Sequence, residues 1–495
     1  MTLSKSEYMM FLKHPAWLWL KKHDKSKLPV IDEQTQARFD VGHSLEDYAE
    51  QLFPNGQYLG FKSYDEYLSL PERTKKALNG KTETIFQGRF EVNNITCIVD
   101  VLKRVGDNEY DLIEIKSSAE VKPEHITDLA FQTIVLEDSG LVIRNINVAH
   151  INNKYIRSGN IKADELIVIS EDISGEVREL LEETRNNIKK ALAVISLNKI
   201  PDISPRYAGS GSLSDWLPIY ENLSGGIDKY SIYNLSYLNT ETIANLEDLN
   251  IKSINEIPPD FKLKNKRQEF QVEATRSGEQ IIDKDEIKEF INTLKYPIHF
   301  FDFETIHEAI PLFDGTYPYQ QIPFQYSLDI LQGPSSALIH KEYLPMEYSN
   351  PMPSVIEHMI KDFEGSGSII VWYKSVEMGR NKEMALLYPE HEKFLLGLND
   401  RIVDLRVPFA NNWFVDKDFL GSASIKDILP VITKHNHKKL NISSGGMVGE
   451  IWIKTLLEEK SKEKKEQMIK DLLEYCGLDT LAMSEILKVL EDTVK

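Results

Sequence analysis

The sequence predicts a multidomain α/β protein, because the chain is long and contains two separate stretches in which strand and helix patterns alternate. It has 495 residues, which is more than a single hydrophobic core normally organises. We predict a first α/β domain over residues 1–200 and a second over 291–495. Residues 201–290 between them are predicted to form a linker and a small helical connector.

The elements of the first domain are predicted from hydrophobic periodicity. Apolar residues recur at helical spacing in some segments, whereas others alternate or are rich in β-branched residues. The predicted helices cover residues 1–20, 36–53, 124–137 and 176–195, and the predicted strands cover 84–90, 95–102, 110–115 and 145–150.

The connector is predicted from a Gly-, Ser- and Pro-rich stretch at 201–225 and a short helical pair at 230–260. The apolar spacing of the pair suggests a helix-hairpin-helix-like module, and a helical linker packed between domains is the alternative. The second domain begins with an apolar strand at 297–303 and continues with strands at 369–373 and 401–405. Its C-terminal residues form a helical pattern that contains many charged residues.

Composition favours a globular protein of the cytoplasm. Hydrophobic residues make up 41% of the chain and charged residues 27%, which is an ordinary mixture. No window approaches the ~18 uninterrupted apolar residues of a spanning helix, and we expect no signal peptide or membrane partner. The two cysteines, Cys97 and Cys476, exclude a disulfide framework. The net charge of −19 is opposite to that of proteins that coat nucleic acid.

Two carboxylates and a lysine are expected to meet on neighbouring strands. Asp100 lies in one predicted strand, and Glu114 and Lys116 lie in the next. Residues two apart in a strand face the same side, so Glu114 and Lys116 project together, and a hairpin brings Asp100 beside them. This set suits Mg²⁺, which prefers hard oxygen ligands, with Lys116 orienting or activating a water. An exposed, salt-bridged hairpin is the alternative.

These residues resemble the RecB-like branch of the PD-(D/E)XK nuclease superfamily. An acidic helix with Glu46 and Asp47 is followed by Asp100, by Glu114-Ile115-Lys116 and by a helix carrying Gln132. The opening SKSEYMMFLKHPAWLWL is also similar, and the resemblance covers roughly residues 1–200. It implies a restriction-endonuclease-like fold in which Asp100 and Glu114 bind metal, Lys116 is catalytic and Gln132 orients the substrate.

The same branch usually carries a histidine or glutamate on its first helix. Glu46 or Asp47 fills that place here, with His43 as a weaker candidate. Many members also hold an iron–sulfur cluster through four cysteines. The first would precede Pro15, where this chain has His14, and the others would fall in 201–225, which lacks cysteine. Because these cysteines are missing, we predict no iron–sulfur cluster. The carboxylates named above predict Mg²⁺ or Mn²⁺ as the cofactor.

A second set of acidic residues lies in the C-terminal domain. The sequence FFDFET places Asp302 and Glu304 two apart at a strand end, where they face one side. Glu377 comes just past another strand. Tyr475 and Asp479 are four apart in the terminal helix and share a face.

This order resembles the DEDD exonucleases of the DnaQ type, which have an RNase H-like fold. The resemblance implies that the four carboxylates bind two divalent ions and that Tyr475 orients the attacking water. Asp404 matches an aspartate that is usually structural. The second motif departs from the usual Asn-x-x-Phe-Asp, because Lys374 and Glu377 stand in that stretch. A degenerate domain kept for binding is the alternative.

The tandem layout resembles a bacterial family of predicted nucleases, to which IPFQYSLDIL at 322–331 and GSASIKDILP at 421–430 are also similar. We predict metal-dependent hydrolysis of DNA, by a single-strand or end-directed exonuclease of DNA repair or phage defence. One alternative is an RNA-processing 3′–5′ exonuclease whose N-terminal domain mainly binds substrate. Another is a nucleic-acid-binding scaffold without turnover. The best basic cluster for backbone contact contains Lys262, Lys264, Lys266 and Arg267.

Overall fold

The computed structural model describes residues 1–30, 42, 44–436, 440–442 and 445–495. The chain is mixed α/β and divides into two compact units. None of the helices in these ranges is both long and apolar enough to cross a membrane. Unit 1 contains Met1–Ile227, Asn239–Ala244 and Ala309–Tyr319, and unit 2 contains Asp228–Leu238, Asn245–Glu308 and Gln320–Lys495.

Unit 1 is built on one twisted sheet with helices packed against it. Its strands are β1 (Leu3–Ser4), β2 (Gly56–Tyr58), β3 (Thr84–Val92), β4 (Ile95–Arg104), β5 (Glu109–Lys116), β6 (Val142–Ile151) and β7 (Ile167–Ile169). Its helices are α1 (Lys5–Lys13), α2 (Pro15–His23), residues 44–50, α3 (Tyr64–Asn79), α4 (Pro123–Asp138), α5 (Ala163–Leu166), α6 (Ser174–Glu179), α7 (Leu181–Ile195) and α8 (Leu213–Ser224).

The strand order in this sheet is β2-β3-β4-β5-β6-β7, with β1 paired to β4. Strands β3, β4 and β5 form an antiparallel meander, and β6 returns parallel to β5 after α4. The period of two in β5 distributes its apolar residues between two cores. Leu112 packs into one cluster, whereas Ile113 and Ile115 pack into another. The predicted strands of this domain are confirmed.

Two predicted helices differ from those observed. The helix predicted over 1–20 is broken at His14, whose backbone is extended (φ −165°, ψ 131°). Pro15 causes the break, because a proline disfavours helical geometry in the residue before it and is well suited to begin the next helix. The segment 176–195 forms α6 and α7, and Leu180 between them keeps right-handed helical angles. Of the helix predicted over 36–53, residues 36–41 and 43 lie outside the described ranges.

Unit 2 contains a five-stranded mixed sheet and a two-stranded ribbon. Its strands are β8 (Ile281–Ile282), β9 (Ile298–Ile306), β10 (Ile322–Leu331), β11 (Leu338–Tyr343), β12 (Ile369–Val371), β13 (Ile402–Asp404) and β14 (Phe414–Val415). The α-helices that follow α8 are α9 (Thr240–Asp248), α10 (Lys266–Ser277), α11 (Lys284–Asn292), α12 (Met352–Asp362), α13 (Lys374–Leu387), α14 (Glu392–Asn399), α15 (Val407–Ala410), α16 (Ile425–Ile432), α17 (Val448–Leu457) and α18 (Lys462–Thr493).

The larger sheet has the order β11-β10-β9-β12-β13. Strands β9, β10 and β11 are antiparallel neighbours, whereas β9, β12 and β13 run parallel. The carboxyl ends of these three parallel strands therefore meet at one edge, which is where ligands of open α/β sheets bind. Apolar residues of β9 and α18 share one buried cluster.

The predicted connector, 201–290, is divided between the two units. Trp216 and Ile219 of α8 pack with Ala16 and Leu20 of α2 in unit 1. The later part has its own apolar cluster in unit 2, around Ile232, Leu246, Ile254 and Val272. The division follows from two separate sets of apolar contacts, which the periodicity of a single segment does not reveal.

Candidate functional site

Glu114 is the centre of a buried polar cluster in unit 1. It is 1% exposed, and three donors reach its carboxylate. Lys116 Nζ donates to Glu114 Oε1 at 2.7 Å, and Gln132 Nε2 donates to Oε2 at 2.7 Å. The third donor, Lys5 Nζ, binds Oε1 at 2.8 Å. The structure thus brings together three of the predicted site residues and adds Lys5.

Asp128 is a second carboxylate that the sequence analysis did not identify. It accepts hydrogen bonds from Lys116 Nζ at 2.8 Å and from Gln132 Nε2 at 3.1 Å. Asp128 and Gln132 are four residues apart on α4, so they share a helix face. That spacing was the available signal. No comparable sequence signal identifies Lys5, because its partner Glu114 is 109 residues away.

Asp100 lies on β4 beside this cluster. Its Oδ2 accepts a hydrogen bond from the backbone N–H of Ile115 at 2.9 Å, and its Oδ1 accepts one from Gln87 Nε2 at 3.4 Å. Gln87 Nε2 also lies 3.3 Å from Glu46 Oε2. One amide therefore joins two carboxylates from different elements, and Gln87 is a further residue that the sequence analysis missed.

The structure separates the two acidic candidates of the first helix. Glu46 is half-buried and approaches Asp100 through Gln87. Asp47 is exposed, and its backbone carbonyl accepts a hydrogen bond from Gln51. Glu46 is therefore placed with the cluster and Asp47 is not. His43 lies outside the described residues.

The charges of this cluster are balanced internally. Burial alone would raise the pKa of Glu114, but Lys5 and Lys116 outweigh it and hold that pKa well below its usual range. Burial likewise opposes the charge of Lys116, but Glu114 and Asp128 raise its pKa. At Asp100 the positive charge of Lys5 does not outweigh burial, and burial together with the charge of Glu114 raises the pKa of Asp100 to about 8. A cleft of about 600 Å³ opens beside Lys116 and is lined by His125 and Tyr319 among others.

A different acidic cluster lies at the end of β9 in unit 2. Asp302, Glu304 and Cys476 offer ligand atoms that all lie within 4.8 Å of one another. Burial raises the pKa of Asp302 well above its usual range, and the charges of Asp479, Glu304 and Glu377 add to this. Burial also raises the pKa of Glu304, and Asp479 adds to it. The charges of the three other predicted carboxylates therefore act on Asp302, while Asp302 and Glu304 are the two of the four that share the compact group of ligand atoms among the described residues.

Glu377, a third predicted carboxylate, lies in the first turn of α13. It is 2% exposed, and burial with the nearby charge of Asp404 raises its pKa to about 8. Its Oε2 is buried and has no hydrogen-bond partner among the described residues. Asp404 caps the start of the same helix, because its carboxylate accepts from the N–H groups of Tyr373 and Lys374 at 3.2 Å each.

Tyr475 and Asp479 approach the group from α18. Tyr475 is buried, and its Oη accepts a hydrogen bond from Lys426 Nζ at 2.8 Å. Burial raises the pKa of Tyr475, and the charges of Asp479 and Glu304 add to that effect. Lys426 is the cation that offsets Glu304. It was missed as a site residue, although it lies inside the segment GSASIKDILP.

The predicted basic cluster is not a single surface. Lys262, Lys264 and Lys266 are exposed. Arg267 instead turns inward, where its guanidinium donates to the backbone carbonyls of Gly421, Phe409 and Ala410. Three of its hydrogen-bond donors are therefore used within the protein, so Arg267 is a structural brace that holds the backbone at these three carbonyls in place. A charge count along the sequence cannot distinguish such a brace from a phosphate ligand.

His14, which precedes Pro15, has a packing role. Its ring stacks on Trp216 with a centroid distance of 3.8 Å. Its Nδ1 accepts from the N–H of Ala16 at 3.1 Å, which leaves Nε2 to donate to the carbonyl of Ser204 at 3.1 Å. Burial lowers the pKa of His14 to about 4. The neutral ring therefore joins α2 to the segment that follows residue 201.

The buried neutral ring of His14 makes stability depend on pH. The unfolded state binds a proton below the ordinary histidine pKa of about 6.5, whereas the folded state binds it only near 4. We expect the free energy of unfolding to fall by roughly 3 kcal/mol as the pH decreases from 6.5 to 4. His14→Phe, which keeps the stack on Trp216, should remove this part of the pH dependence in thermal unfolding. His23→Phe is the control, and equal slopes in all three proteins would contradict the assignment.

Comparisons with known proteins relate the chain to uncharacterized relatives. Residues 299–424 match a family described as a domain of unknown function, DUF2779. The uncharacterized protein MG366 of Mycoplasma genitalium is 26% identical over 291 residues, which are 55% of this chain and 44% of that protein. Its homolog from Mycoplasma pneumoniae is 25% identical over 243 residues, or 46% and 37% of the two chains.

The uncharacterized protein UU173 of Ureaplasma parvum is 28% identical over 221 residues, which are 40% of this chain and 32% of that protein. The matched regions span less than half the length of these relatives. The DUF2779 match includes β9, β12 and β13, with Asp302, Glu304 and Glu377, but ends before α18. The chain is thus similar to uncharacterized mycoplasma and ureaplasma proteins, and the DUF2779 match covers the first three acidic residues of the unit 2 cluster.

Proposed function

We propose that this protein is a metal-dependent nuclease that hydrolyses phosphodiester bonds in DNA. In this proposal unit 1 is a RecB-like PD-(D/E)XK nuclease, and unit 2 is a DEDD exonuclease with an RNase H-like fold. The observation that carries the proposal is the convergence of distant acidic residues in two buried clusters. Asp100 lies beside Glu114 on adjacent strands, and Asp302 and Glu304 lie together at a strand end, where the charges of Glu377 and Asp479 act on Asp302.

The residues present fit divalent cations such as Mg²⁺ or Mn²⁺. Both clusters offer carboxylate oxygens, which are the ligands that hard cations prefer. In unit 2 the buried Glu377 Oε2 has no hydrogen-bond partner among the described residues, which is costly unless a cation or proton satisfies it. Asp302, Glu304, Glu377 and Asp479 would hold cations in unit 2, and Glu46, Asp100 and Glu114 would do so in unit 1. Bound divalent cations stabilise negative charge at the reacting phosphate and activate water.

The neighbouring polar side chains have distinct roles in this proposal. Lys116 stays protonated because Glu114 and Asp128 raise its pKa. It therefore donates hydrogen bonds and stabilises phosphate charge, and does not accept a proton. Tyr475 stays a neutral phenol, since its pKa is raised. Lys426 donates a hydrogen bond to its oxygen, and in this proposal the neutral hydroxyl group orients the attacking water.

The test is degradation of labelled single-stranded DNA and RNA by the wild type, Lys116→Ala and Asp302→Ala, with Mg²⁺ or Mn²⁺. We expect the wild type to degrade DNA and each substitution to remove one component of the activity. Loss of all activity in Lys116→Ala alone would assign unit 2 a binding role. RNA cleavage that survives Lys116→Ala would favour the RNA-processing alternative. Failure to degrade either polymer with either metal would refute the enzymatic proposal.

Gln87 is expected to position the metal ligands of unit 1. It falls opposite Asp100 in the β3–β4 register, at the one place between Thr84 and Val92 where Cα pairing is interrupted. Its φ of 56° is costly for a residue other than glycine. Gln87→Gly should relieve this strain while removing the amide that joins Asp100 to Glu46.

We therefore expect opposite effects on stability and activity. In an Asp302→Ala background, Gln87→Gly should lower unit 1 activity about 10- to 100-fold, as loss of residues that orient metal ligands does. It should also unfold at a higher temperature than Gln87→Ala, which keeps the strained Cβ. Kinetics at graded Mn²⁺ concentration and thermal unfolding measure the two effects. An unchanged Mn²⁺ dependence in Gln87→Gly would contradict the positioning role.

A further inference from the structure

A cleft in unit 2 lies next to the acidic cluster but contains no acidic residue in its lining. It has a volume of about 560 Å³ and is formed by the end of β12, the residues after β13 and the segment 420–426. That volume lies within the range of small-molecule sites. Its charged and aromatic lining residues are Tyr237, Arg267, Trp372, Tyr373, Arg406 and Lys426.

The charge of the cleft is opposite to that of the chain. Three cationic side chains line it, although the chain carries a net charge of −19. Arg267 is the brace described above, whereas the guanidinium of Arg406 lies over the ring of Tyr373, 4.7 Å from its centroid. Within the described part of the chain, no carboxylate forms an ion pair with Arg406. Lys426 extends from the cleft to Tyr475 Oη, so the cleft adjoins the acidic cluster.

The backbone of the cleft is strained at several positions. Among the described residues, ten residues other than glycine have positive φ, and three of them line this cleft: Tyr237 (49°), Tyr373 (86°) and Leu420 (51°). Positive φ is unusual for bulky side chains, and such strain concentrates where ligands are clamped. Gly421 (φ 69°) completes the wall, because a Cβ there would lie 2.7 Å from Ser236 Oγ. Two of these residues are tyrosines, and Tyr237 and Tyr373 are 71% and 47% exposed.

We propose that this cleft binds one nucleotide of a single-stranded DNA substrate next to the acidic cluster of unit 2. The inference rests on the proposed function and names the substrate-binding residues of that same site. Arg406 and Lys426 bind the backbone phosphate, since charge-assisted hydrogen bonds to phosphate are the strong ones. The exposed rings of Tyr373 and Tyr237 stack on the base, which single-stranded binding proteins do without reading sequence. Arg267 holds the wall of the cleft through its carbonyl contacts.

The experiment measures binding without hydrolysis. A fluorescein-labelled 12-nucleotide oligodeoxythymidine is titrated with the full chain in EDTA, and anisotropy gives the Kd. Tyr373→Gly removes the ring but suits the positive φ, so it should weaken binding about 5- to 100-fold without lowering the unfolding temperature. Arg406→Ala should weaken binding about tenfold and reduce the salt dependence of log Kd by about 0.7. Lys462→Ala, which removes an exposed charge from α18, is the matched control and should bind like the wild type.

The outcomes separate this proposal from the proposed function. Equal affinities of the wild type, Tyr373→Gly and Arg406→Ala would overturn the cleft assignment, even if the wild type degrades DNA. Weaker binding by both variants in a protein that degrades no nucleic acid would support the cleft while refuting the nuclease. An oligouridine of the same length is the second probe. Binding of that probe alone, or of neither probe, would overturn the assignment to DNA.

Discussion

Replacing Asp302 with asparagine is expected to stabilise the protein at pH 8 in the absence of divalent cations, and to abolish its response to Mn²⁺. Burial and three neighbouring carboxylates raise the pKa of Asp302, and that of Glu377 is raised to about 8. Carboxyl groups with raised pKa bind protons more tightly when folded. In the unfolded chain these groups have an ordinary carboxyl pKa of about 4. The metal-free protein should therefore lose stability as the pH rises from about 4 toward 8.

Asparagine at this position does not ionise, so the variant should avoid the loss of stability that Asp302 causes at high pH, and the gain in unfolding temperature should be larger at pH 8 than at pH 5. Added Mn²⁺ should raise the unfolding temperature of the wild type, because a ligand that binds only the folded state stabilises that state. The variant should lose that response. Its unit 2 activity should fall at least about 100-fold, since a metal ligand contributes several kcal/mol to the transition state.

The measurement is thermal unfolding at pH 5 and pH 8, with EDTA or Mn²⁺, in the wild type and Asp302→Asn. Asp400→Asn is the matched control, because it makes the same chemical change at an exposed position of unit 2. If Asp302→Asn were less stable than the wild type at pH 8 without metal, and Mn²⁺ stabilised both equally, the acidic cluster would not be a cation site.

The neighbours predicted from strand and helix periodicity alone share one property, which is that their relation is local in the sequence. Glu114 and Lys116, and likewise Asp302 and Glu304, are two apart in confirmed strands. The period of two places each pair on one face without knowledge of the fold. The same local rule located Tyr475 and Asp479 on one helix.

The residues that were missed depend on contacts between distant segments. Lys5 reaches Glu114 across 109 positions, and Gln87 reaches Glu46 across 41. Neither has a sequence pattern that sets it apart from ordinary surface lysines and glutamines. The inward turn of Arg267 depends on carbonyls more than 140 positions away. The break at His14, by contrast, was readable, because Pro15 disfavours helical geometry in the preceding residue.

Lys5→Met is the second substitution with a large expected effect. Lys5 begins α1, where the helix dipole disfavours a positive charge, and its side chain is only 22% exposed. Its ammonium binds Glu114 at 2.8 Å and lies 3.5 Å from Asp128. Removing one partner of a buried charge pair typically costs about 3–5 kcal/mol, so we expect a loss of this size in the free energy of unfolding of unit 1.

Lys13→Met offers a matched control at the other end of the same helix. Lys13 pairs with Asp215 at 2.7 Å, but both side chains are over 40% exposed, and such pairs contribute up to about 1 kcal/mol. Denaturant unfolding of the two variants compares the same chemical change in buried and exposed settings. Equal losses would mean that Lys5 does not neutralise the unit 1 cluster. Lys5→Arg should retain more stability than Lys5→Met, because it keeps the charge near Glu114 and Asp128. Mn²⁺ should restore part of the stability of Lys5→Met, since a bound cation neutralises carboxylates of the same cluster.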